Sequence, residues 1–321
     1  MSHAILARQA GGPEVLELAE VDRPVPGPGQ LLVKVAATGV NFIDTYKRSG
    51  VYKVQYPFTP GSEASGTVEE TGDGVSAFSV GDRVATAEGI NCYAGYALVD
   101  ADKALPVPRG VDDFTAAALP LQGITAHYLI NSSFKVEAGQ TVLLHAGAGG
   151  VCLLLIQLLK AKGARVITTV STDEKEQLAR GAGADHVLRY GGFAAKVRDL
   201  TDGAGAHVVY DGVGKDTFDD SLAALRIRGT LVLFGAASGP VPPFDPQRLN
   251  AGGSLYLTRP TINHFLRDAQ ERRWRSDELF AAVADGSLKV RIGARYDLAD
   301  AAAAHTDLEQ RRTTGKVILV P

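Results

Sequence analysis

The stretch TVLLHAGAGGVCLLLIQLLKAKG (141–163) decides the reading of the chain. Its apolar opening, TVLLHA (141–146), has the length of a buried strand and runs directly into Gly147-Ala148-Gly149-Gly150-Val151-Cys152. From Val151 to Lys160 the residues are nearly all apolar, which predicts a buried helix, and Gly163 supplies its stop. In a strand–turn–helix of this type the first glycine makes the tight turn. The second lets the backbone approach a pyrophosphate, and the third lets helix and strand pack closely. Cys152 stands at the third position; it is small but carries a Cβ, which predicts a slightly displaced helix with the phosphate contacts intact. Gly147, Ala148, Gly149, Gly150 and Val151 form the candidate phosphate cradle, at a helix end whose dipole favours negative charge.

Working outward, ARVITTV (164–170), HVL (186–188), AHVVYD (206–211) and TLVLFG (230–235) read as further buried strands. Between them lie predicted helices from about Asp173, near 193–200 and near 217–226. Buried strands alternating with helices predict a parallel, doubly wound sheet of the Rossmann type. Upstream, the short runs VLELAEV (15–21), QLLVKVAATGV (30–40), SGTVEETGDGV (65–75) and VGDRVAT (80–86), broken by glycine and proline, predict an antiparallel β-rich unit. A long helix is predicted over about 263–285, and the closing KVILVP (316–321) reads as a strand that rejoins the first unit. The predicted organisation is a discontinuous β-rich catalytic domain, 1–124 with 264–321, and a dinucleotide-binding domain, 125–263.

The choice between the two nicotinamide cofactors falls at the end of the second strand of the α/β unit. A carboxylate there holds the ribose 2′-hydroxyl in NAD sites. This chain has Ser171, with Lys175 four residues on, a pairing that suits a 2′-phosphate and hence NADPH. Asp173 and Glu174 oppose that reading, and S-T-D-E also fits a capping box with Ser171 as the cap. Lys175 read blandly is a solvated first-turn lysine.

Composition narrows the classes. The 36 glycines are roughly 11% of 321 residues, against about 7% in average usage, and the loop and the turns of the βα units absorb part of the excess. With 33 basic and 36 acidic residues, a net charge of −3 leaves no footprint for nucleic acid. Arg272, Arg273 and Arg275, interleaved with Glu271, Asp277 and Glu278, read as a solvated helix face. Two cysteines, Cys92 and Cys152, make neither a disulfide framework nor a four-cysteine zinc lobe. No run of about 18 apolar residues and no signal-peptide layout is present, so a cytoplasmic protein without a membrane span is expected.

The chain resembles the NADPH:quinone oxidoreductases, the zinc-free, zeta-crystallin-like branch of the medium-chain dehydrogenase/reductases. The resemblance is carried by GGPEVLEL (11–18), GVNFIDTYKRSGVY (39–52), PGSEASGTV (60–68), GDRV (81–84), LLHAGAGGV (143–151), VVYDGVG (208–214), GSLYLTRP (253–260) and TTGKVILVP (313–321). It implies a GroES-like domain beside the Rossmann domain, and a homodimer. Zinc-dependent relatives place a cysteine and a Gly-His-Glu where this chain has Asn41 and Ser62 before Glu63, so no catalytic metal is expected.

Carried over by the resemblance, Asn41 and Tyr46 lie beside the nicotinamide and Thr125 near its ribose. Ser171, Lys175, Tyr190 and Arg311 form the adenosine-phosphate pocket. Val213, the stretch Phe234, Gly235, Ala236, Ala237 and Ser238, and Leu257, Thr258 and Arg259 line the rest. A quinone is strongly electrophilic, so hydride transfer asks the protein for positioning and a hydrogen bond to the developing oxyanion. Asn41, Tyr46 and Tyr52 are the expected catalytic polar edge, a neutral tyrosine being a donor at pH 7. His145 and His127 show no carboxylate partner in sequence, and Cys92 reads as a small buried or loop thiol. Two alternatives remain beside quinone reduction: an NADPH-dependent enone or enoyl double-bond reductase, and a cofactor-loaded structural or RNA-binding protein of the zeta-crystallin kind.

Overall fold

The computed structural model describes residues 1–321, and its internal contacts divide the chain into two units, Met1–Ile124 with Asp268–Pro321, and Thr125–Arg267. The first unit opens with β1 (Ser2–Ala7) and β2 (Leu16–Val21), an antiparallel pair of their own. There follow β3 (Gln30–Val40), the short helix α1 (Phe42–Arg48), β4 (Ala64–Thr71), β5 (Arg83–Thr86), β6 (Tyr96–Asp100) and β7 (Leu105–Pro106). Helix α2 (Asp113–Ala118) covers β3 and β4, and α3 (Pro120–Tyr128) carries the chain across the division between the units.

The second unit strings β8 (Thr141–His145), α4 (Gly150–Ala161), β9 (Arg165–Thr169), α5 (Asp173–Gly181) and β10 (His186–Leu188), then α6 (Phe193–Leu200), β11 (Ala206–Asp211), α7 (Phe218–Ala223), β12 (Leu225–Leu233), α8 (Gln247–Ala251) and β13 (Tyr256–Thr258). Its six strands, all parallel, lie in the order β10-β9-β8-β11-β12-β13. Strand order therefore reverses at β8, the switch point where doubly wound sheets bind ligands. Val142, Leu143, Leu144, Val166, Ile167, Val208, Val209, Leu231 and Val232 are fully buried, each stabilising by about 1.5–3 kcal/mol. A sheet covered on both faces explains why these strands read as continuous apolar runs.

The chain then returns through α9 (Ala269–Ala284), β14 (Ile292–Asp297), α10 (Ala301–Glu309) and β15 (Lys316–Val320). Strand β15 pairs antiparallel with β3, Ile318 opposite Gly39, so the last strand completes the sheet β14-β15-β3-β4-β5-β7, with β6 also on β3. The fold class is the one the sequence predicts: a GroES-like β unit and a Rossmann-type parallel sheet.

Several boundaries differ from expectation for local reasons. The predicted helix over 263–285 starts only at Ala269, because Asp268 is extended and caps the helix, accepting from the Glu271 amide at 2.8 Å. The predicted helix near 217–226 ends at Ala223, and β12 begins at Leu225 rather than 230, with Arg228 in the left-handed region at φ +57°. Arg272 and Arg275 are not solvated. Arg272 is buried on Glu88 at 2.7 Å, and Arg275 is buried on Glu271 and stacks on Trp274, whose ring is the exposed one.

Candidate functional site

In the Rossmann unit the candidate residues gather at the carboxyl ends of the strands. After β8, Ala146 takes the left-handed turn at φ +59°, a conformation expected of the first glycine. Gly147 instead serves close approach. Its amide donates to the Thr169 carbonyl at 3.0 Å, and a Cβ there would collide with the Thr168 side chain, 2.8 Å from its Cγ2. Gly149 caps α4 without a side chain, so the first amides of a 12-residue helix are left for a ligand. The cradle offers backbone donors for a pyrophosphate. Cys152 makes its own compensation, its buried thiol donating to the His145 carbonyl at 3.0 Å, and burial pushes that thiol up to about 12.

Beyond β9, Thr172 rather than Ser171 caps α5, its Oγ1 accepting from the Lys175 amide at 3.3 Å. The cap expected of Ser171 belongs to its neighbour, because Thr172 is the last extended residue, at φ −136°. Ser171 stays exposed, and Lys175 stands half-buried in the first turn. After β10, Tyr190 lies over the His145 ring, centroids 6.3 Å apart and planes at 29°.

Val213 follows β11 in a turn set by Asp211, a buried carboxylate that the sequence reading passed over. Asp211 accepts from the amides of Val213 at 2.8 Å and Gly214 at 2.9 Å, and from the hydroxyls of Thr217 at 2.7 Å and Ser221 at 2.8 Å. Since Ser221 donates to Asp211, its oxygen accepts from His145 Nε2, 2.8 Å away, which leaves Nδ1 to accept from Thr169 Oγ1, also at 2.8 Å. His145 thus does have a carboxylate partner, through Ser221. Burial depresses its basicity. The Phe234–Ser238 backbone is tied to the same turn, the Phe234 amide donating to the Asp211 carbonyl at 2.8 Å and Ser238 to the Val213 carbonyl at 2.8 Å. Leu257 and Thr258 lie on β13, and Arg259 just beyond it donates to the Pro260 carbonyl at 3.2 Å. Thr125 is buried on α3.

The β-rich unit holds Asn41, Tyr46, Tyr52 and Arg311. Asn41 begins α1, its amide donating to Asp44 Oδ2 at 2.9 Å. Its side chain is fully engaged as a donor, Nδ2 reaching Glu63 Oε2 at 2.8 Å and the Gly39 carbonyl at 3.3 Å, while Oδ1 accepts from Lys316 Nζ at 2.7 Å. Asn41 therefore has no spare N–H for an oxyanion, a departure from expectation. Tyr46, on α1, meets Tyr52 edge to face at 5.8 Å, and the Tyr52 amide donates to the Tyr46 carbonyl at 3.1 Å. Tyr52 is 43% exposed. Arg311 follows α10 in the left-handed region, φ +57°.

Asp44 extends this cluster inward. Tyr93 donates to it at 3.1 Å and in turn accepts from His305 Nε2 at 3.1 Å, whose Nδ1 accepts from Arg48 at 3.2 Å. An arginine can only donate, so it fixes the histidine tautomer and the direction of the chain. Burial drives Asp44 up to about 6 and His305 down to about 3, the nearby Arg48 adding to the latter. Cys92 is buried and its thiol is raised by desolvation, so it is an inert packing residue.

The remaining carboxylate of the zinc-ligand positions, Glu63, is buried, paired with the Lys316 ammonium, and accepts from the Leu121 amide at 2.8 Å. Gly39 is bare backbone beneath the pair; a Cβ there would lie 2.7 Å from Lys316 Cε. An amide, a serine and a glutamate already holding a cation do not fit a zinc site, since a second cation would meet the ammonium.

Residues 27–130 match the family described as alcohol dehydrogenase GroES-like domain, and residues 150–280 the family described as zinc-binding dehydrogenase. A quinone oxidoreductase of Pseudomonas aeruginosa is 44% identical over 97% of both chains. The chain belongs to the quinone oxidoreductase family of the medium-chain dehydrogenase/reductases. Within that family, a mycobacterial protein solved in complex with NADPH superimposes with a TM-score of 0.98 at 54% identity over the whole of both chains. A 2-haloacrylate reductase of a Burkholderia species is 40% identical over 100% of this chain and 99% of its own.

Proposed function

We propose that the chain is an NADPH-dependent quinone reductase that transfers hydride to a small-molecule quinone without a metal. The observation that carries this reading is the glycine-rich cradle from Gly147 to Val151, opening α4, whose cap Gly149 brings no side chain to its first amides, at the switch point of the parallel sheet. Bound NADPH supplies the hydride.

The chain's own residues bind and orient. The α4 amides neutralise the pyrophosphate, and Ser171, Lys175, Tyr190 and Arg311 hold the adenosine 2′-phosphate. Thr125, Val213, Phe234–Ser238 and Leu257–Arg259 complete the groove, and Asn41 and Tyr46 flank the nicotinamide. Tyr46 and Tyr52 donate to the oxyanion as it develops on the quinone, with solvent as the proton source. Residues 125–263 serve cofactor binding, and 1–124 with 264–321 serve the substrate. A cytoplasmic homodimer completes the proposal, supported by the edge strand β13 with exposed Tyr256 and by exposed Ile227 on its neighbour β12.

Double-bond reduction is the second reading, favoured by the identity to the 2-haloacrylate reductase. Parallel assays of NADPH oxidation with benzoquinone, phenanthrenequinone and an enone separate them. Quinones turning over faster supports the proposal; a faster enone replaces it.

A further inference from the structure

The first turn of α5 carries Asp173, Glu174 and Glu176 around Lys175, an acidic setting for a residue that is to hold a phosphate dianion. A cation from outside the helix offsets that setting. Arg189 follows β10 directly; β10 pairs with β9, Leu188 opposite Thr169, and the Val170 amide donates to the Leu188 carbonyl at 2.9 Å. Arg189 therefore stands beside the chain where it leaves β9 for Ser171. Its guanidinium spans two of the acids, one nitrogen on Asp173 Oδ1 and the other 2.9 Å from Glu176 Oε2. Arg180 takes the other Glu176 oxygen at 2.8 Å.

With Lys175, Arg180 and Arg189 against Asp173, Glu174 and Glu176, this face is neutral; without Arg189 it is net negative. We propose that Arg189 is a specificity-determining residue that makes the Ser171–Lys175 face tolerate a 2′-phosphate, by holding Asp173 and Glu176 in ion pairs and turning their charge away from the incoming anion. It rests on the reading of NADPH as cofactor. The guanidinium acts as a fork that engages two carboxylates at once, which a lysine cannot reproduce. Asp173 is almost wholly exposed, so loss of its partner leaves the charge free to repel the phosphate rather than to disrupt the fold. Glu176 is held below the usual carboxylate range by Arg180 first and Arg189 second, consistent with a carboxylate that stays ionised and needs a counterion.

The test is calorimetric binding of NADP+ and of NAD+ to the full chain, with melting temperature recorded alongside. Arg189→Met is expected to weaken NADP+ about 5- to 10-fold at low salt, the scale of one or two unit charges near a surface site, and to leave NAD+ within about twofold. Asp173→Asn with Glu176→Gln in the Arg189→Met background should restore NADP+ affinity, and about 1 M salt should shrink the Arg189→Met loss. Equal weakening of NADP+ and NAD+, or failure of the neutralising pair to rescue, would overturn the proposal and make Arg189 a strut between β10 and α5. Lys175→Met separates the two levels. If it weakens NADP+ while Arg189→Met does not, only the role of Arg189 falls; if neither does, the 2′-phosphate reading falls with it.

Discussion

Lys316 Nζ donates to Asn41 Oδ1 at 2.7 Å across 275 residues of sequence, both side chains buried. With Glu63 as counterion, this pair joins the last strand to the start of α1, the helix that carries Tyr46. Breaking a buried pair by removing one partner costs about 3–5 kcal/mol, because the other charge is stranded. Lys316→Met should lower stability by that order in urea denaturation, and Glu63→Gln in the same chain should recover much of it. Losses that simply add would show that the two charges are not coupled.

Because phenylalanine keeps the ring that flanks the nicotinamide, loss of the two hydroxyls is expected to act on turnover and not on cofactor binding. Replacing both Tyr46 and Tyr52 by phenylalanine should lower kcat/KM for a quinone by about 10-fold or more, with the NADPH KM held within about twofold, since removing one oxyanion donor typically costs about 10²–10³. Steady-state rates that match the parent chain would remove the tyrosines from the mechanism.

Asp44 and His305 should oppose each other in the pH dependence of stability. Asp44 is raised from 3.8 to about 6, so its favourable contribution is present below about pH 4 and is lost as pH rises through 6. His305 is depressed from 6.5 to about 3, so its contribution is present above about pH 6.5 and is lost as pH falls toward 3. Between pH 4 and 6 the two slopes, up to about 1.4 kcal/mol per pH unit each, offset. Relative to the parent, Asp44→Asn should gain stability with rising pH in this window, and His305→Gln should lose it. Chemical denaturation at a series of pH values reads both signs, and parallel curves for all three chains would contradict the assignment.

Gly147 should resist even alanine. The added Cβ meets the Thr168 side chain, whose hydroxyl is itself bonded to the Leu144 carbonyl at 2.8 Å, so the loop must move away from β9. Overpacking of this kind costs about 1–3 kcal/mol, and the displaced cradle should weaken NADPH binding several-fold. Thr168→Ala in the same chain should restore binding, measured by nicotinamide fluorescence. No effect of Gly147→Ala would show that the close approach is dispensable.

Both units were legible in the sequence because their signals are local. The strand–glycine–helix run from Thr141 to Gly163 and the alternation after it need only neighbouring residues to be read. What escaped depends on distant pairing. Asp211 looks like the polar end of an apolar strand, and only the sheet brings it to Ser221 and His145. Lys316 opens the last strand, and only its pairing beside β3 sets it against Asn41 and Glu63, so the asparagine read as a free donor proves committed. Asp173 read alone argued against a phosphate; only the sheet brings Arg189, 16 residues away and just past the next strand, into an ion pair with it. The cap shifted from Ser171 to Thr172 because one extended residue more or less leaves no trace in composition.

The most direct measurement is kcat/KM for NADPH and for NADH with one quinone, benzoquinone, under one buffer and salt. The arrangement of Ser171, Lys175 and an Arg189-neutralised helix start predicts a preference for NADPH of about 10-fold or more, with both cofactors reducing the quinone in chelator-treated protein. Equal use of NADH, or quinone reduction that appears only when zinc is added back, would contradict the account.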